Sequence, residues 1–343
     1  MNFDKLLSQY DYKFPKELIA QEPARPRDSA RLMVYNRRSG QVIFDVFTNI
    51  AKYLPKNAVL VFNQTKVVPA RLAVTKQTGG KAEILYISDD KQFIKALANR
   101  KLTIGSKLSI KFKPFFQVIR QQEQFYFLKP LFPISKLPTI LNKFGQTPLP
   151  PYIKHPGLRE KQLRKEYQSV FAKTGLSVAA PTACLHFTKE LINKLKKQGI
   201  GVEFITLNVN LGTFAPLKRE NIKNQTLHTE NYEINKATAA RLNKAKRQGR
   251  PIIAVGTTVV RTLESAAQKR QLTKLCGPTN LFIREHYNMQ IADGIITNFH
   301  VPKSSLLMLV SALTGRKTLL GLYQKAIQKK FRLFSFGDGM LII

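Results

Sequence analysis

The 343-residue chain carries 56 Lys and Arg against 21 Asp and Glu, a formal net charge of +35, and 43% of its residues are hydrophobic. That length predicts about two domains at roughly 150 residues each, the apolar fraction supplies a core, and the charge attracts polyanions. No window approaches about 18 consecutive apolar residues, the N-terminal MNFDKLLSQYDYKF lacks a signal-peptide pattern, and Cys184 and Cys276 show no zinc spacing. The expectation is a cytoplasmic protein with reduced thiols, no metal and no membrane association.

In chain order, RLMVYNRRSGQVIFDVFTNI alternates around Ser39-Gly40 and predicts a hairpin. NAVLVFNQTKVVPARL predicts a buried strand, a polar turn over Asn63 to Lys66, and a second extended run ended by Pro69. From Ala73 to Pro151 helical periodicity is scarce. SKLSIKFK alternates, placing Leu108, Ile110 and Phe112 on one face, and FFQVIRQQEQFYFLKPLF reads as two strands around a polar turn. Residues 73–151, closed by GQTPLPP, are expected to be a small all-β, barrel-like domain inserted into a larger one. The larger domain, residues 1–72 and 152–343, is expected to be α/β. Thr188 is placed to cap the helix KELINKLKKQ before Gly199 and the strand VEFITLNV, and ATAARLNKAKRQG leads likewise into PIIAVG. Leu319, Leu320, Tyr323, Ile327 and Phe331 form a helical stripe that reads as core.

The basic residues cluster at 154–165, 194–199, 241–250 and 328–332. Such runs suit phosphate contacts along a nucleic-acid backbone, although a lysine-biased composition would produce them too. His186, His228 and His300 stand in Thr-, Asn- and Pro-rich turns of the kind found at strand ends, where function concentrates; a lone histidine is more often structural. IIAVGTTVVRTLESAA has the order strand, glycine turn, helix, so Gly256 to Thr258 can receive a carboxylate or phosphate, or form a plain βα turn. NLGTF supplies a similar turn. Neither is a Walker A loop or GxGxxG.

Taken jointly, YDYKFPKELIAQEPARPRDSARLMV, VFNQTKVVPARL, LPPYI, YQSVFA, SVAAPTACLHFT, LGTF, VGTTVVRTLESAA, TNFHVPKSSLLMLVSAL and FSFGDGMLI follow one another in this order. The set resembles the S-adenosylmethionine:tRNA ribosyltransferase-isomerase family of queuosine biosynthesis over roughly residues 9–343. The resemblance implies a large α/β domain with a smaller β-barrel domain, RNA binding, and S-adenosylmethionine as a ribosyl donor, with no metal. It implies transfer and isomerisation of that ribosyl group onto 7-aminomethyl-7-deazaguanine at the tRNA wobble position. The products would be epoxyqueuosine in tRNA, adenine and methionine. A monomer is expected.

Deprotonation beside the sulfonium needs a base and departure of adenine needs an acid. His186, His228, Glu230, His300 and Asp338 are the titratable residues in the family-like segments and form the candidate catalytic set. His186, just ahead of the helix at Thr188, is expected to be kept neutral by the helix dipole. The candidate cofactor-binding set is Asn63, Arg71, Thr182, Gly212, Thr213, Gly256, Thr257, Thr258 and Arg261, the two arginines being suited to a carboxylate or a phosphate. The chain departs from the family pattern at Gln64 (an acid), Cys184 (a glycine), Asn208 (a histidine) and Val259 (a serine). If position 184 needs φ > 0, cysteine there costs energy. These departures keep a second reading open, a tRNA-binding homologue of the same fold with weakened or lost catalysis. A third is an enzyme of this fold acting on another nucleobase or nucleoside.

Overall fold

The computed structural model describes residues 3–90, 92–210 and 216–343, so Gly212 and Thr213 lie outside the described residues. β1 (Arg31–Tyr35) and β2 (Val42–Val46) form the expected hairpin, with Gly40 at φ +71° in its turn. β3 (Val59–Asn63) and β4 (Thr65–Val67) follow. The chain then enters β5 (Arg71–Lys76), β6 (Lys81–Asp89), β7 (Ile94–Ala98), β8 (Lys107–Ile110), β9 (Lys113–Gln122) and β10 (Phe125–Pro130).

These six strands close into a barrel in the order β10-β7-β6-β5-β8-β9. Closure leaves no unpaired strand edge, and Leu108, Phe116, Val118 and Leu128 fill the interior. The alternation predicted for SKLSIKFK holds at Leu108 and Ile110 and fails at Phe112, which is fully exposed. Ile110 pairs with Lys113, so Lys111 and Phe112, at φ +48° and +68°, are the two central residues of a tight turn. Such turns usually take Asn or Gly, so the pattern gave no sign of the reversal. The helix Leu137–Phe144 sends Leu137 and Leu141 into the barrel core. β5 begins at Arg71, two residues before the boundary expected at 73.

Past the barrel come β11 (Thr174–Ser177), which pairs in parallel with β4, then β12 (Gly201–Leu207), β13 (Thr226–Glu233) and β14 (Ile252–Val255). The small hairpin β15 (Ala267–Gln268) and β16 (Gln271–Leu272) precedes β17 (Cys276–Leu281), β18 (Gly294–Asn298) and β19 (Gly339–Ile342). The large sheet has nine strands in the order β17-β13-β12-β3-β14-β18-β19-β1-β2. Its centre, β12-β3-β14-β18, is parallel. Val59, Val61, Ile252, Ala254 and Ile295 face one core; Leu60, Phe62, Ile253, Val255 and Ile296 face the other. Both faces are therefore covered, as parallel sheets require.

Register places the site. Phe62 pairs with Val255, and Val255 with Ile296, so Asn63, Gly256 and Thr297 form a row at the C-terminal ends of three parallel strands. Ligands bind α/β sheets at such ends.

Helix starts follow the local signals. Thr188 Oγ1 accepts from Leu191 N–H at 3.1 Å to cap Lys189–Lys197, and Gly199, at φ +82°, follows its end. That helix and Lys236–Arg247 feed the N-terminal ends of β12 and β14. The basic runs 194–199 and 241–250 thus fall at the sheet edge opposite the row of strand ends. A cavity of about 920 Å³ opens at that opposite edge, lined in part by Arg37, Arg38, Lys246, Arg250 and Arg270, with Asp293 among them. The helix Arg316–Gln328 buries Leu319 and Tyr323 as expected, while Leu320 and Ile327 are half-buried and Phe331 is buried beyond the helix end. Among the described residues no single helix is long and apolar enough to cross a membrane.

Candidate active site

Three connected spaces run along the strand ends. A cleft of about 50 Å³ is lined by residues including Tyr152, Thr182, Gly256, Thr258, Asn298 and His300. A pocket of about 10 Å³ adjoins it through Leu306, and His228, Glu230, Arg261 and Ser305 also line it. His228 in turn opens onto a chamber of about 630 Å³ between barrel and sheet, where Arg71, Lys95, Phe125, Phe127 and Asn210 face inward.

SVAAPTACLHFT builds one wall of the first cleft. Ser177 Oγ meets Thr65 Oγ1 at 2.8 Å and accepts from Val209 N–H at 2.7 Å, and Val178 N–H donates to the Val209 carbonyl at 2.9 Å. The small side chains at 179–183 let this segment lie against the turn after β14, where Ala183 borders Gly256. Gly256 stands at φ +99°, a conformation other residues rarely adopt, and opens the helix Thr257–Ala266. Thr257 and Thr258, in the first turn, line the cleft.

The structure disperses the candidate catalytic set. His186 ends a short turn of helix, Thr182–His186, and its ring stacks on Phe47 with centroids 4.2 Å apart. It is buried and lines none of the three spaces. Burial pulls its imidazole down to about 3, with Arg332 and Arg27 acting in the same direction. Its neutrality therefore comes from burial and these cations. Asp338 is likewise away from the spaces: it accepts from the N–H groups of Arg31 at 3.1 Å and Arg332 at 2.9 Å and pairs with the Arg332 guanidinium at 3.1 Å. It ties β1 to the approach of β19.

His300 lines the cleft. Its Nε2 lies 2.8 Å from Thr297 Oγ1, and burial lowers its imidazole to about 3. His228 and Glu230 stand on β13 beside an irregularity in its pairing with β17: four residues of β13 span two of β17 between the Thr226–Leu281 and Glu230–Thr279 pairs. Bulges of this kind re-aim side chains, and His228 lines both the small pocket and the chamber. Its imidazole is lowered from the ordinary histidine value, first by burial and then by Lys218, against an opposing effect of Glu230. Glu230 is 2% exposed, forms an ion pair with Arg261, and accepts from Asn210 N–H at 2.8 Å.

Of the binding set, Thr182, Gly256, Thr257 and Thr258 gather at the cleft, and Arg261 lines the small pocket, one helical turn on. Arg71 faces the chamber and pairs with Glu83. Asn63 acts as a brace: Oδ1 accepts from Thr65 N–H and Leu207 N–H, both at 3.1 Å, and Nδ2 donates to the Leu207 carbonyl at 3.1 Å. Asn298, Ser335 and Ser305 border the spaces and are absent from the sequence-derived sets. They stand within or beside the motifs, but a search for titratable groups passes over amides and hydroxyls. Among the described residues no group of three or more His, Cys, Asp and Glu is placed to hold a metal ion.

The four departures from the family pattern fall behind the cleft, and none lines the three spaces. Cys184 does not take φ > 0, so the backbone cost considered for it does not arise. Its thiol is fully buried, points toward the Val255 carbonyl at 3.7 Å, and is pushed up to about 12 by burial. Gln64 Nε2 donates to Thr206 Oγ1 at 3.4 Å, Asn208 Oδ1 accepts from Leu176 N–H at 3.1 Å, and Val259 is core.

A parallel-centred α/β sheet with a polar cleft at its strand ends and a closed barrel beside it defines a two-part enzyme architecture. The model of the queuosine biosynthesis protein family matches residues 7–342, and the chain belongs to that family. It is 47% identical to an S-adenosylmethionine:tRNA ribosyltransferase-isomerase of Carboxydothermus hydrogenoformans, covering 98% of this chain and 99% of that one. A protein of the same description from Halothermothrix orenii is 41% identical over the same shares. The crystal structure of an S-adenosylmethionine tRNA ribosyltransferase from Thermotoga maritima superimposes with a TM-score of 0.57 at 32% identity, covering 98% of this chain and all of that one.

Proposed function

We infer that the protein transfers and isomerises the ribosyl group of S-adenosylmethionine onto 7-aminomethyl-7-deazaguanine at the wobble position of tRNA, releasing adenine and methionine. The observation that carries this reading is near-full-length similarity, 47% over 98% of the chain, to a relative described as that transferase-isomerase. The site's layout supports it. The chamber combines Phe125 and Phe127 with Lys95 and Arg71, an aromatic and cationic lining suited to an unstacked base and its backbone. His228 stands where chamber and small pocket meet. Its lowered pKa keeps it unprotonated near neutral pH, as a group that removes the sulfonium-adjacent proton must be. His300, neutral and bonded to Thr297, lines the cleft where adenine would depart.

The alternative of a non-catalytic tRNA-binding homologue loses its main support, because Gln64 and Cys184 lie outside the three spaces. The deciding experiment is incubation with S-adenosylmethionine and tRNA bearing the aminomethyl base, followed by nucleoside mass analysis and measurement of free adenine. Epoxyqueuosine is expected, and His228→Gln should lower its rate by about 10²–10⁴-fold. RNA binding with no product from the unaltered protein would establish the alternative.

A further inference from the structure

Arg261, which lines the small pocket, has one guanidinium nitrogen without a hydrogen-bond partner among the described residues. Arg261 has a side chain only 6% exposed; Nη1 pairs with Glu230, and Nε donates to the Leu281 carbonyl at 3.2 Å. Its Nη2 is buried and has no hydrogen-bond partner among the described residues. Buried donors are rarely left unpaired, and such an orphan marks a place where a ligand or water belongs.

A second feature converges there. Ser305 and Leu306, the first residues of the helix Ser305–Thr314, line the same pocket. Their N–H groups are among those that a helix leaves without internal partners, at its positive dipole end. Ser304 Oγ accepts from Leu307 N–H at 3.2 Å and so caps the next position. Arg261 and the helix end thus favour an anion. At about 10 Å³ the pocket has room for one water-sized group, such as a single carboxylate oxygen. Glu230 lines the same pocket and places a negative charge beside the positive one. Fixed charges of both signs match the carboxylate and ammonium of an α-amino acid, and a phosphodiester offers no such pair.

We propose that Arg261 and the N-terminus of the helix Ser305–Thr314 bind the α-carboxylate of the sulfonium donor, with Glu230 facing its α-ammonium. This rests on the ribosyl-transfer reading and sets the direction of the donor: a carboxylate oxygen toward the small pocket, the adenosyl end toward the cleft at Gly256. Glu230 also acts as a positioning residue, holding Arg261 through Nη1 and the chain at Asn210.

The test is adenine release from S-adenosylmethionine and from its decarboxylated analogue, each with tRNA bearing the aminomethyl base. For the unaltered protein the analogue should show a KM raised on the order of 10- to 100-fold, the loss of a charge-assisted bond, with kcat changed far less. In Arg261→Lys, which keeps the charge and loses the fork, the gap between the two donors should narrow. Equal KM values for the two donors in the unaltered protein would overturn the assignment while leaving the reaction intact, and so would an undiminished gap in Arg261→Lys. Absence of adenine release with either donor would overturn the ribosyl-transfer reading, and the assignment with it.

Discussion

His186 meets the cleft through Asn298: its Nε2 lies 3.2 Å from Asn298 Nδ2, and Asn298 lines the space. Asn298 Nδ2 also donates to the Phe334 carbonyl at 3.2 Å, which orients the amide and makes the imidazole nitrogen the acceptor. That geometry needs the neutral ring, in keeping with its low pKa. His186 therefore acts as a support for Asn298. His186→Ala should lower stability by about 2–4 kcal/mol through loss of the Phe47 stack, and turnover by about tenfold or less. Melting and single-turnover adenine release measured on one sample check this. A stable variant slowed more than about 10²-fold would put His186 back into the chemistry.

Removing Glu230 leaves Arg261 as an uncompensated buried charge. Glu230→Ala should cost about 3–5 kcal/mol, and the paired replacement Glu230→Leu with Arg261→Met should recover most of it. Urea denaturation of the three proteins decides: if the double variant is no more stable than Glu230→Ala, the pair is not the origin of the loss.

Acid should unfold the protein early. His186 and His300 are lowered to about 3 in the folded state from an ordinary 6.5, so folding favours their neutral forms. Their contribution is complete above about pH 6.5 and is lost as pH falls, at about 1.4 kcal/mol per pH unit for each ring until about pH 3. Denaturant titrations at pH 7.5, 6.0 and 5.0 should show this decline, and His300→Asn should flatten it by about half. A folding free energy constant across that range would contradict it.

The barrel is proposed to be a separable unit. Excising residues 73–151 with a short linker should leave a cooperative large domain. The cut passes through β5, so Arg71 and Leu72 remain as a stub. The large-sheet cores draw little from the barrel, whereas Val178 belongs to the barrel cluster and would be uncovered. A sigmoidal thermal transition by circular dichroism is the expected result, and an insoluble or molten product would refute separability.

The α/β alternation, the Thr188 cap and the barrel strands β8 to β10 were legible because each rests on local signals: a period, a capping hydroxyl, a glycine stop. Phe112 was not, because only backbone dihedrals distinguish the end of a strand from the reversal that follows it. For the site, the motifs supplied segments that line the three spaces and left their side chains unsorted. Within TNFHVPKSS, Asn298 and His300 border the cleft, while Asp338 in FSFGDG serves as a clasp. His186 looked exposed to function because it ends a motif; tertiary packing against Phe47 removed it from the cleft. The orphan nitrogen of Arg261 depends on contacts from Glu230 and Leu281, 31 and 20 residues away, which no local pattern records.

The two cysteines differ in a way that gives the native chain a spectroscopic use. Cys184 is sealed in the core with a thiol pushed to about 12, and thiol reagents need both access and thiolate. Cys276 is exposed at the start of β17, whose neighbour β13 carries His228 and Glu230. A maleimide dye should attach at that one position without any engineered cysteine. Its emission would then report, from the adjoining strand, each arrival of donor or tRNA at the site.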